Sequence, residues 1–191
     1  MAKLYFRYGC VFAAKSAHLL DVRDNYTCQN KRTLLAKPSF DTRDGKDIVA
    51  SKVRDLRVTV DFLIHPKDDF SALLNFKMEG ATDVHCLLVD EAQFLSKVNV
   101  EALEDIAELA GIPVICYGLR ADWRGELFEG SSALFAHADS IEEIKTVCWM
   151  PDCNRKALYN LRLPEETDPA KPAQSQELGN HFRPVCRSHY Q

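Results

Sequence analysis

From residue 3 onward, short apolar runs alternate with longer stretches whose apolar residues recur at helical spacing. Residues 3–8 (KLYFRY) and 33–37 (TLLAK) read as strands, and Pro38 closes the second because it has no N–H to give a ladder. Residues 84–89 (VHCLLV) and 112–117 (IPVICY) are near-continuous apolar runs, the signature of parallel strands covered on both faces. Between them the spacing predicts helices over 15–25, over 68–78 with Phe70, Leu73, Leu74 and Phe76 on one side, and over 98–110, where Gly111 stops the pattern. Residues 41–46 (DTRDGK) have the composition of a turn or mobile loop, and 48–64 is mixed, with no single period. Strands alternating with helices at these intervals predict an α/β fold, a mostly parallel sheet with helices on both faces.

The pattern changes at Cys148. Residues 165–176 (EETDPAKPAQSQ) are polar, contain two prolines and supply nothing to a core, so they read as a long exposed loop. The expected division is a nucleotide-binding domain over 1–146 and a small lobe over 147–191, its loop spanning about 164–183. A length of 191 residues with 46% hydrophobic content suffices for one core and such a lobe.

Charge and cysteine usage narrow the partners. The net charge of −4 argues against a nucleic-acid or membrane-surface binder, which usually carries a basic excess. Lys3 and Arg7 interrupt any leader-like apolar run, and no window approaches the roughly 20 apolar residues of a membrane span. Four of the seven cysteines are scattered, while Cys148, Cys153 and Cys186 gather near His189. That distribution predicts a reducing cytoplasm and one metal site, not a disulfide framework.

Ligands of open α/β sheets gather at the carboxyl ends of strands. Residues 9–16 (GCVFAAKS) follow the first strand and approach the phosphate-loop pattern G-x-x-x-x-G-K-[ST]. In that pattern backbone N–H groups from Gly9 to Ala13 and Ala14 wrap phosphates, Lys15 reaches them and the Ser16 hydroxyl meets Mg²⁺. Ala14 stands where the pattern has its second glycine, and a left-handed alanine costs about 1–2 kcal/mol, roughly a tenfold loss in affinity. The acidic pair in LLVDEAQF follows the central apolar run. Asp90 suits Mg²⁺ held through water, and Glu91, directed the other way, suits a general base on a hydroxyl. Each motif alone has an ordinary reading, a helix start or a solvated turn; together at successive strand ends they point to phosphoryl transfer. Cys148, Cys153, Cys186 and His189 are ligands of the types that closed structural zinc sites use, with a four-residue spacer between the first two.

Further pieces resemble one family. KLYFRYG leading into AAKSAHLL, then DTRDG, HCLLVDEAQFL, IPVICYGLRADWRGELFEGS, IKTVC and PVCRSHY stand in the order found in the zinc-containing, tetrameric type of thymidine kinase. The resemblance covers nearly the whole chain, and GLRADWRGELFEGS is its most specific part. It implies a P-loop, RecA-like sheet and transfer of the ATP γ-phosphoryl to the 5′-hydroxyl of thymidine in nucleotide salvage. It also implies Arg43 near the phosphates, and Val11, Leu119, Trp123 and Phe128 around the base. Zinc would clamp the base of the 164–183 loop, whose main chain would bind the thymine edge, with Phe182 standing where the family has a tyrosine. A homotetramer and feedback inhibition by the end-product triphosphate belong to the same implication. Two alternatives stay open: a binding protein without turnover, motivated by Ala14 and the altered loop, and a kinase of a modified pyrimidine nucleoside, motivated by the small Val11.

Overall fold

The computed structural model describes residues 2–41, 45–51, 55–70, 83–163 and 181–190. The apolar runs sort themselves between the two faces of one sheet. Leu34, Leu87, Val89, Val114 and Cys116 face one cluster, while their neighbours Leu35, Cys86, Leu88, Ile115 and Tyr117 face another. Strands buried on both faces need apolar residues at every position, which is why these segments show no alternation.

The sheet has six strands. They are β1 (Leu4–Tyr8), β2 (Arg32–Pro38), β5 (Phe62–Ile64), β6 (Val84–Val89), β7 (Val114–Gly118) and β8 (Ser140–Glu143), in the order β5-β2-β6-β7-β1-β8. Every pairing in it is parallel. The mixed stretch contributes β5 and an antiparallel hairpin of β3 (Ile48–Ser51) and β4 (Leu56–Thr59).

Helix α1 (Lys15–Cys28) covers the face that carries Leu35 and Leu88, through Leu19 and Leu20. On the opposite face lie α2 (Lys97–Leu109) and α3 (Glu129–His137). The Ser96 side chain accepts from Asn99 N at 3.2 Å while Ser96 N donates back to Asn99 Oδ1 at 3.1 Å, a reciprocal cap that starts α2. Gly111, with φ of 65°, lies just past its end, as the sequence predicts. Helix α3 and edge strand β8 are not foreseen by the sequence reading; β8 (SIEE) is largely exposed and has no apolar run to betray it. The predicted helix over 68–78 lies mostly outside the described residues.

Beyond residue 147, β9 (Tyr159–Arg162) pairs antiparallel with β10 (Phe182–Val185). These strands pack on a separate small cluster of Cys148, Val185 and Cys186 with Met150, Cys153, Tyr159, Leu161 and Tyr190.

Candidate active site

The carboxyl ends of β1, β6 and β7 lie side by side in the sheet, so the segments leaving them meet at one edge. After β1 the chain turns through Gly9, whose N–H donates to Gly118 O at 3.2 Å at the end of β7. A Cβ on Gly9 would stand 2.6 Å from Ile144 O, so only glycine allows this approach. Ala13 N then donates to Cys10 O, and Ala14 is the residue before α1.

Ala14 takes φ 58° and ψ 28°, the left-handed conformation that the missing glycine would have adopted freely. Phe12, two residues earlier, is also left-handed at φ 58°, which the sequence does not reveal. The loop therefore keeps a glycine-type backbone with two side chains that resist it. Lys15 Nζ donates to Cys10 O at 2.8 Å and Gly9 O at 3.4 Å, curling the ammonium over the loop's own carbonyls.

At the end of β6 the two acids diverge. Ser16 Oγ donates to Asp90 Oδ2 at 2.9 Å, joining the start of α1 to the central strand. Asp90 is buried, and that burial, followed by the negative charge of Glu91, pushes its carboxyl up to about 7. A bound cation beside this hydroxyl–carboxylate pair would favour the charged form, so the pair fits Mg²⁺. Glu91 has φ of 51° and so turns out of the strand direction, where its Oε2 accepts from Gln93 Nε2 at 2.5 Å.

Gln93 has no role in the sequence reading, although it lies within the quoted LLVDEAQF segment. It is buried, and its Oε1 accepts from Leu119 N at 3.0 Å. One amide thus ties Glu91 to the segment after β7. Leu119 is buried there, and its carbonyl accepts from Ser131 Oγ of α3.

The following turn is held by Asp122, whose Oδ1 accepts from Arg124 N and Glu126 N, with Gly125 at φ 85°. Trp123 sits on this turn with the guanidinium carbons of Arg124 and Arg162 at 4.8 and 5.5 Å from its ring centroid. Its carbonyl accepts from Tyr190 OH, and its buried indole N–H has no partner among the described residues. Phe128 precedes α3 with its ring 5.7 Å from Phe94, which in turn lies 5.5 Å from exposed Phe40. Phe94 and Phe40 continue this row of rings beyond Phe128, the one member the sequence singles out. Val11 follows Cys10 after β1, its N–H donating to Asn160 Oδ1 at 2.9 Å, and Phe182 is buried at the start of β10, paired with Arg162. Arg43 and residues 164–180 lie outside the described residues.

The cysteine–histidine cluster closes geometrically. Cys148 Sγ is 3.3 Å and Cys186 Sγ 3.5 Å from His189 Nδ1, Cys153 Sγ is 3.9 Å from Cys186 Sγ, and all four donor atoms lie within 4.8 Å of one another. Tetrahedral zinc with Zn–S near 2.3 Å separates its sulfurs by roughly 3.7 Å, so the donors fit that ion. The four-residue spacer is absorbed by a turn with Asp152 left-handed at φ 57° and Cys153 N donating to Met150 O. The backbone N–H and guanidinium of Arg155 hold the Cys153 thiol down at about 6, favouring the thiolate that binds metal.

Comparison with known proteins agrees with this arrangement. The family model described as thymidine kinase matches residues 2–190. The thymidine kinase of Lactiplantibacillus plantarum is 40% identical over 191 residues, covering 100% of this chain and 96% of that protein. Those of Haemophilus influenzae Rd and Shouchella clausii are 41% and 38% identical, each covering 100% of this chain and 96% and 97% of theirs. Among solved structures, a chain from a study of DNA unwinding by two coordinating Pif1 helicases overlaps 78% of this chain and 41% of its own, with TM-score 0.44 and 10% identity. That likeness is too distant to bear on function. With a family match that runs from residue 2 to residue 190 over the phosphate loop, the acidic strand end and the cysteine–histidine cluster alike, the chain belongs to the thymidine kinase family.

Proposed function

We propose that this chain transfers the γ-phosphoryl of ATP to the 5′-hydroxyl of thymidine. The observation that carries the reading is the junction of Ser16 with Asp90 at 2.9 Å, with Glu91 turned away beside it, in a chain similar throughout its length to thymidine kinases. Loop N–H groups and Lys15 bind the phosphates, and Ser16 and Asp90 would hold Mg²⁺. Mg²⁺, when bound, neutralises charge on the β- and γ-phosphates. Glu91 takes the proton from the 5′-hydroxyl as that oxygen bonds to the γ-phosphorus, and the bridging P–O bond breaks to leave ADP. Gln93 fixes the Glu91 carboxylate, so the base needs no reorientation as the hydroxyl arrives.

Leu119, Trp123, Phe128 and Val11 form the walls for the base, and the family resemblance adds Phe182 and residues 164–183 as further binders of it. The family resemblance adds Arg43 as a further binder of the phosphates. Zinc on Cys148, Cys153, Cys186 and His189 is structural, since four protein donors leave no open position for chemistry. The family resemblance supports a homotetramer in the cytoplasm; among the described residues no helix is long and apolar enough to cross a membrane. The test is to supply ATP, Mg²⁺ and thymidine and follow ADP and thymidine 5′-monophosphate. The reading predicts stoichiometric formation of both. Absence of ATP- and Mg²⁺-dependent phosphorylation of any pyrimidine deoxynucleoside would sink it.

A further inference from the structure

The phosphate loop holds two left-handed residues that are not glycine, Phe12 and Ala14. Such a backbone persists only when its surroundings over-determine it. Among the described residues, two contacts from the lobe beyond residue 147 reach this backbone. Val11 N donates to Asn160 Oδ1 at 2.9 Å, and the Phe12 ring stacks on Trp149 at 4.4 Å with 29° between planes. They land on consecutive residues directly before the Ala13-Ala14 pair.

Both lobe residues are themselves fixed. Trp149 follows Cys148, and its N–H donates to Pro184 O at 2.9 Å, two residues before Cys186. Asn160 is buried in β9, and its Nδ2 donates to Ala121 O at 3.2 Å, at the start of the turn that carries Trp123.

We propose that the metal-site lobe braces the phosphate loop from outside, with Trp149 and Asn160 as positioning residues for nucleotide binding. Trp149 holds the ring of Phe12 and Asn160 holds the N–H of Val11, while the cluster ligands keep Trp149 in place. Asn160 also binds the substrate turn, so one side chain sets the spacing between the two walls of the site. The inference rests on reading Gly9–Ser16 as the phosphate loop.

The test is calorimetric titration of the zinc-loaded full chain with Mg-ADP, with zinc counted in every variant. Trp149→Ala and Asn160→Ala are each expected to weaken binding about five-fold while zinc stays at one per chain. Trp149→Phe, which keeps a stacking ring, is expected to return within about two-fold of the unaltered protein. In the double variant, Trp149→Ala is expected to add nothing to Phe12→Ala, because each alone removes the same stack. Phe12→Leu, which leaves the lobe untouched, repeats the test from the loop side, with the same five-fold loss expected. Unchanged binding in Asn160→Ala and Phe12→Leu, or losses that multiply independently in the double variant, would overturn the brace. Lys15→Ala separates the two ideas. Lost binding there with unchanged Asn160→Ala and Phe12→Leu rejects the brace alone, whereas unchanged binding in Lys15→Ala rejects the phosphate-loop reading and the brace with it.

Discussion

The cysteine–histidine cluster and the phosphate loop are both short segments to which we assign a charged ligand, yet they are built from opposite materials. In the cluster the side chains do the gripping. Four donors converge within 4.8 Å, and the four-residue spacer between Cys148 and Cys153 is taken up by one turn through Asp152. In the loop the backbone does the gripping, and its shape must hold although Phe12 and Ala14 oppose it. A side-chain site survives changes between its ligands, whereas a backbone site that loses a glycine needs support from elsewhere. In the proposed brace that support comes from Trp149 and Asn160, which would make the two regions interdependent.

The sharpest separation of the two regions comes from Glu91→Gln. It is expected to lower kcat by about 10²–10⁴-fold, with zinc content and thermal midpoint unchanged and Mg-ATP affinity nearly so, as steady-state kinetics and calorimetry would show. A loss of ATP affinity equal to the loss of rate would mean that Glu91 acts on the metal or phosphates and not on the hydroxyl. Cys186→Ser should show the opposite profile. It loses zinc and lowers the thermal midpoint by about 2–4 °C for every kcal/mol of folding free energy lost, which scanning calorimetry with a zinc assay reads. Unchanged stability would break the view of the cluster as a clamp.

The strand end predicts a pH signature in the Mg²⁺- and nucleotide-free protein. Burial raises the Asp90 carboxyl from an ordinary 3.8 to about 7, so between those values the folded chain binds more protons than the unfolded one. Its contribution to stability is therefore greatest below about pH 4 and is lost as pH rises toward about 7. Asp90→Asn should flatten that decline in denaturant titrations across the range, and Mg-ATP should reduce it. A decline that persists unaltered in Asp90→Asn would show that another group causes it. The smallest effect is expected for Ala14→Gly: up to about tenfold tighter Mg-ATP binding, from relief of about 1–2 kcal/mol of left-handed strain offset by the greater freedom of glycine.

Much of the sheet was legible because burial on both faces writes continuous apolar runs. β6 was read to its last residue, and β1, β2 and β7 to within two. Ala14 was legible as a strained position because the motif specifies what backbone belongs there. Edge strand β8 was not, since an exposed strand needs no apolar pattern, and α3 (EGSSALFAH) carries too few buried positions to display a period. Gln93 and Asn160 were illegible for another reason. Their bonds to Leu119 and Val11 span 26 and 149 residues, and only the topology brings such partners together. Phe12 gave no sign of its left-handed backbone, and its stacking partner Trp149 lies far along the chain.

The central claim is that a phosphate loop carrying Ala14, held from outside, remains competent for phosphoryl transfer. The direct measurement is a panel of pyrimidine deoxynucleosides, including larger 5-substituted analogues, incubated with ATP and Mg²⁺ on the unaltered protein and Ala14→Gly in parallel. The account predicts thymidine 5′-monophosphate from both proteins, with thymidine preferred and the KM for ATP differing by no more than about tenfold. Product from Ala14→Gly alone would contradict it, and would make the unaltered chain a nucleoside-binding protein without turnover.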